Sequence, residues 1–159
     1  MKTQKVITLI AIFLTFNTFS QDLSCKDFKI GTFYIPQNED LREYTISFRD
    51  SIKKFTPEKD LSINKYIVVR SDKTQIEWVN GIDIGKPEHE VINWIDECTY
   101  RLTYDSTKSK LDDDKKWIND NNGLIVTSIK IEGQCMLYNA TITTIKGQTI
   151  SQKGVICKK

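Results

Sequence analysis

Two of the four cysteines bracket the last stretch of the chain at a spacing that favours a hairpin. Cys135 and Cys157 flank two runs of strand-forming residues joined by Ile145-Lys146-Gly147. A three-residue hairpin loop wants a left-handed residue, and glycine takes that conformation without strain. With Gly147 in that place, Thr144 faces Gln148 and the facing pairs all sum to 292 in residue number. Ile142 then faces Ile150, Leu137 faces Val155, Met136 faces Ile156 and Cys135 faces Cys157. Facing residues of a non-hydrogen-bonded pair stand about 4.5 Å apart at Cα, the short end of the disulfide range. The register therefore predicts a Cys135–Cys157 bond and, by elimination, a Cys25–Cys98 bond.

An even cysteine count fits an exported chain, and the N-terminus reads the same way. Lys2 and Lys5 precede an apolar run from Val6 to Phe16, and Thr18 and Ser20 suit the −3 and −1 positions of a signal peptidase site. That run is shorter than the roughly 20 residues a membrane span needs. A lipid anchor on Cys25 would want an apolar residue three places earlier, where Asp22 stands. The expectation is a signal peptide over 1–20, a single β-rich domain over 21–159, a secreted or periplasmic destination and no stable membrane anchor.

Charge excludes a further class. The chain has 23 basic and 21 acidic residues, and the first twenty hold two lysines and no acid. The segment 21–159 therefore has 21 of each and no formal net charge. Nucleic-acid binding is dominated by phosphate neutralisation and wants a basic surface, so nucleic acid is not an expected partner.

The composition, with 22 Ile and 16 Thr against 2 Ala, favours sheet over helix bundle. Strand-like runs fall at 29–35, 65–70, 74–79, 90–95, 98–104, 124–132, 135–145 and 148–157. Pro36 ends the first run, Ser71-Asp72-Lys73 turns the second into the third, and Asp96-Glu97 turns the fourth into the fifth. Leu41, Tyr44, Phe48, Ile52 and Phe55 recur at helical spacing, which predicts a helix over about 39–55. Residues 105–122 are polar and read as a short helix around Leu111, Trp117 and Ile118 or as a loop. The fold class expected is mainly β: an antiparallel meander, half-open or closed as a calycin-like barrel, with one inserted helix at about 39–55.

Several of these runs carry recognisable patterns. Cys25-x-x-Phe28-Lys29-x-Gly31-Thr32-Phe33 resembles the opening of a family of small exported bacterial proteins. Tyr66-x-Val68-x-Arg70, Gln75-x-Glu77 and Trp94-x-x-x-Cys98-x-Tyr100-x-Leu102 resemble its later signatures. The resemblance covers about 25–35 and 65–105. It places Cys25 and Cys98 inside shared motifs, which supports pairing them, and it implies no particular chemistry. Some members carry a topoisomerase IV label, which the export signal, neutral charge and missing nucleotide motif of this chain contradict.

Catalytic and metal-binding groups are scarce. His89, the single histidine, sits in the polar run Gly85 to Glu90 and reads as a solvated loop residue without a nucleophile beside it. The cysteine spacings contain no zinc pattern, and no metal or other cofactor is expected. Asp112, Asp113 and Asp114, with Asp120, Asn121 and Asn122, read as a solvated charge run and do not match a calcium loop. No pair of carboxylates stands out for hydrolysis. Aromatic residues remain. Phe33, Trp78, Trp94, Tyr100 and Tyr138, with Tyr104 beside them, fall on expected strands, and the first five are the candidate ligand-binding residues. Gly31-Thr-Phe33 is similar to the Gly-x-Trp of lipocalin first strands, with Phe in place of Trp. A meander of this size can close around a small apolar ligand. The expected function is a non-enzymatic exported domain that binds such a ligand or a protein partner. A disulfide-stapled structural or inhibitor-like module and a carboxylate-dependent hydrolase are the alternatives.

Overall fold

A computed structural model describes residues 23–36 and 65–159. The proposed signal peptide and the expected helix at 39–55 lie outside these residues. Eight antiparallel strands close into a barrel in sequence order. They are β1 (Gly31–Pro36), β2 (Lys65–Arg70), β3 (Thr74–Val79), β4 (Glu88–Trp94), β5 (Thr99–Tyr104), β6 (Leu124–Glu132), β7 (Cys135–Thr143) and β8 (Thr149–Lys158). The mainly-β expectation holds, with the barrel closed. Its helix among the described residues is α1 (Asp113–Asp120), between β5 and β6.

The C-terminal hairpin has the register expected from sequence, with Cys135 opposite Cys157 and Thr143 opposite Thr149. Thr144 N donates to Gln148 O at 2.8 Å, and Gly147 takes φ +80°. Lys158 N donates to Gln134 O at 2.8 Å, so the neighbouring pair, Cys135 and Cys157, is the non-hydrogen-bonded kind. Both disulfides join as expected, Cys135 to Cys157 and Cys25 to Cys98.

Alternation along each strand sorts side chains into a lumen and an outer face. Phe33, Val68, Met136 and Ile156 meet inside, where Phe28 joins them. Phe28 ends a 3-10 turn, Cys25–Phe28, and its ring stacks on Phe33 with centroids 5.7 Å apart. The turn thus plugs the barrel end at which β1 begins, and the Cys25–Cys98 bond ties it to the β4–β5 connection. Ile92, Tyr100, Leu102 and Val126 form a second inner cluster. On the outer face Cys135, Leu137, Val155 and Cys157 pack together against Tyr34.

At the opposite end, α1 is tied to the strand termini by its asparagines. Asn119 Oδ1 accepts from Tyr104 N and Asn119 Nδ2 donates to Tyr104 O, both at 2.8 Å. Asn121 Oδ1 accepts from Ile145 N at 3.0 Å in the β7–β8 turn. Asp112 caps the helix by accepting from Lys115 N at 2.9 Å, and Asp113 and Asp114 sit in the first turn where the helix dipole favours them. The polar run 105–122 is therefore a helix with its connections.

The barrel seam is short. β1 pairs with β8 through Phe33–Lys158 and Tyr34–Cys157, and Lys159 N adds a bond to Thr32 O at 3.0 Å. β4 starts at Glu88, so His89 is a half-buried strand residue opposite Ile76, not a solvated loop histidine. The pairing of Gln75 with Glu90 and of Glu77 with Glu88 draws this polar segment into the ladder.

Candidate functional site

Strands β2 to β5 line the lumen with polar side chains where a simple core would be apolar. On β3, Gln75 and Glu77 point inward while Ile76 and Trp78 point outward, the reverse of the usual polar-out alternation. On β4, Glu90 shares the inner face with Ile92. The lumen holds a cavity of about 250 Å³. It reaches from Ile35, Tyr66, Tyr104 and Leu124 at the α1 end down to Arg70 and Tyr100. Leu102, Val126, Ala140 and Ile156 provide apolar wall, and Tyr138 crosses it.

Arg70 organises the floor. Its side chain is 3% exposed, and a buried guanidinium is tolerated only when its N–H groups are satisfied. Nε and Nη2 donate to Gln75 Oε1 at 2.9 and 2.6 Å, Nη1 donates to Phe28 O at 2.8 Å, and Nη2 also donates to the Tyr100 hydroxyl at 2.9 Å. The same group lies over the Tyr100 ring at 4.8 Å and the Phe33 ring at 5.5 Å. Gln75 passes the polarity on, donating from Nε2 to Glu90 Oε2 at 2.5 Å. Its amide thus links the cation to the acid, with no direct Arg–carboxylate contact.

Two carboxyl groups face this one guanidinium. Burial is the main reason that both are raised, Glu77 to about 7 and Glu90 to about 8. The charge of Glu88 pushes Glu77 further up and that of Glu77 pushes Glu90 up, while Arg70 opposes both shifts. Glu88 itself is paired at the barrel end, where Lys115 Nζ lies 2.8 Å from its Oε1 and 2.7 Å from Asp112 Oδ2. Burial likewise raises the hydroxyls of Tyr100, Tyr104 and Tyr138, so all three stay protonated at neutral pH.

Of the aromatics singled out in the sequence, Tyr100 and Tyr138 line the cavity. Phe33 lies in the plug cluster with Phe28. Trp94 packs on Tyr100 at 4.9 Å, donates from Nε1 to Asp72 O at 3.0 Å, and has Lys29 Nζ 4.5 Å from its ring. Trp78 is on the outer face across from Ile67. The sequence reading missed Arg70, Gln75, Glu77 and Glu90. One signal was present: Gln75-x-Glu77 and Glu88-x-Glu90 place acids and amides at period two in neighbouring strands. No cluster of three His, Cys, Asp or Glu side chains among the described residues could hold a metal ion. No helix among them is long and apolar enough to cross a membrane.

No protein-family model matches the chain, and neither a curated protein nor a solved structure matches it.

Proposed function

We propose that the protein is an exported barrel that binds a small molecule in its lumen. The observation that carries this reading is the cavity of about 250 Å³ inside the closed barrel. Its aliphatic wall and convergent polar groups suit a ligand with an apolar body and a polar end. An apolar protein cavity of about 150 Å³ accommodates benzene, so a ligand somewhat larger than that fits here. The signal-like N-terminus and the two disulfides support a secreted or periplasmic location. The balanced charge of 21–159 argues against nucleic acid as the partner.

Native mass spectrometry of protein purified from its own compartment tests this reading. A small-molecule adduct is expected, and Ala140→Phe, which fills the cavity, should remove it. Recovery of a protein partner with no adduct, or an adduct indifferent to Ala140→Phe, would overturn it in favour of a protein-binding or inhibitor-like module.

A second reading, a carboxylate-dependent hydrolase, is favoured by one observation: Glu77 and Glu90 line one cavity with raised proton affinities. Turnover of a glycoside or ester, lost in both Glu77→Gln and Glu90→Gln, would establish it.

A further inference from the structure

Resting on the small-molecule reading, we infer that the ligand carries one protonated amine on a short apolar body, with the Glu77 carboxylate as its counter-ion. Most charged groups in the lumen are already committed. Arg70 spends four of its five N–H donors on Gln75, Phe28 and Tyr100. It has little left for an anionic ligand, and two carboxylates nearby would repel one. Glu90 accepts from Gln75, and Glu88 is paired with Lys115. Glu77 lines the cavity, and neither a hydrogen bond nor a salt bridge joins its carboxylate to another described side chain.

Charge balance in the lumen asks for a ligand of the same sign. With Glu77 and Glu90 both ionised, Arg70 balances one of them and leaves one negative charge in the lumen. A proton on either carboxyl removes that charge when the cavity holds no cation. A ligand bringing a single positive charge removes it as well, and a neutral or anionic ligand does not. The walls suit a cation too. Tyr66, Tyr100, Tyr104 and Tyr138 line the same cavity, and aromatic faces attract ammonium groups. The aliphatic residues opposite offer a place for the apolar body.

Binding and protonation then compete at Glu77. The groups that face it are Arg70 and Tyr66 from β2, Glu88 and Glu90 from β4, Tyr100 and Tyr104 from β5, Tyr138 from β7 and Lys115 from α1. Its proton is held up to about pH 7. An ammonium favours the ionised carboxylate, so its binding must expel that proton and must tighten as pH rises through this range. Affinity should change by roughly tenfold per pH unit below the titration and level off above it.

Isothermal titration with three isosteres tests the inference: n-hexylamine, 1-hexanol and hexanoate, each at pH 6 and pH 8. The amine should bind tightest, roughly tenfold tighter at pH 8 than at pH 6. Repeating the pH 6 titration in buffers of different ionisation enthalpy should show proton release on amine binding. Glu77→Gln should abolish both the preference for amine over alcohol and the proton release, while alcohol binding persists. If 1-hexanol or hexanoate binds the wild-type protein as well as the amine does, or if amine binding releases no proton, the inference fails and the small-molecule reading stands. If none of the three binds, both fail. Proton release is read on the wild-type chain, so the test does not depend on the variant folding.

Discussion

The Tyr138 side chain lies across Gly154, its partner on the neighbouring strand, in the space a β-carbon there would occupy. The ring thereby reaches the cavity wall and joins two inner clusters, the one around Phe33 and the one around Ile92. Gly154 is thus a requirement of the lumen and not of the backbone, since its φ is ordinary for any residue.

Gly154→Val should therefore destabilise the fold by about 1–3 kcal/mol through overpacking. Urea unfolding of the single variant and of Gly154→Val combined with Tyr138→Ala checks this. The two effects should be strongly non-additive, because removing the ring removes the clash.

Replacing Arg70 leaves Gln75, Tyr100 and the Phe28 carbonyl without their shared donor and Glu90 without its nearby cation. Arg70→Met should cost about 3–5 kcal/mol, as breaking buried charged networks does. Tyr100→Phe, which removes one acceptor from the same guanidinium, should cost about 1–3 kcal/mol. Denaturant midpoints for the two variants should keep that order.

Stability should fall as pH rises from about 4.5 to about 8 in the unliganded protein. Glu77 and Glu90 titrate higher when folded than their ordinary value of 4.5, so across that window the native state binds more protons than the unfolded chain. Unfolding free energy then decreases with pH, and the slope vanishes above the folded titration. Thermal melts across pH 4 to 9 should show the decline, and Glu77→Gln should reduce it while the Glu90 part remains. A profile rising through this window would show that the two carboxyls are not held in their neutral form.

The two disulfides close loops of different length, with separations of 73 and 22 residues. In the chain-entropy view, losing Cys25–Cys98 should cost about 4 kcal/mol and losing Cys135–Cys157 about 3 kcal/mol. Paired Cys→Ser variants compared by denaturation test the order. Loss of the first bond should also release the Phe28 plug, read as increased proteolysis at the N-terminal turn.

Much of the barrel was legible because it depends on local register. Gly147 and the residues flanking it set the final hairpin, and β2, β3 and β6 have the bounds expected from their apolar alternation. The lumen was harder to read for a physical reason. Apolar-inward alternation identifies a core, whereas a barrel that encloses polar groups inverts it locally. On β3 that inversion sends Trp78 out and Glu77 in. On β4 the sequence starts the strand at Glu90 and reads Glu88 and His89 as loop, because their polarity is explained only by partners on β3. The motifs singled out between 65 and 105 held the information in another form. Tyr66, Arg70, Gln75, Glu77, Tyr100 and Leu102 all line the cavity.

The seam between β1 and β8 has a consequence for how the chain reaches this state. Every other ladder joins strands adjacent in sequence, but this one joins the two ends of the described barrel. Contacts of such long separation carry the largest loop-closure cost, so the seam is expected to form late, after the meander is in place. Until it does, β1 and β8 are unpaired edges able to accept a strand from another molecule. Closure ends that exposure, and the Cys135–Cys157 bond holds the last hairpin in register for it.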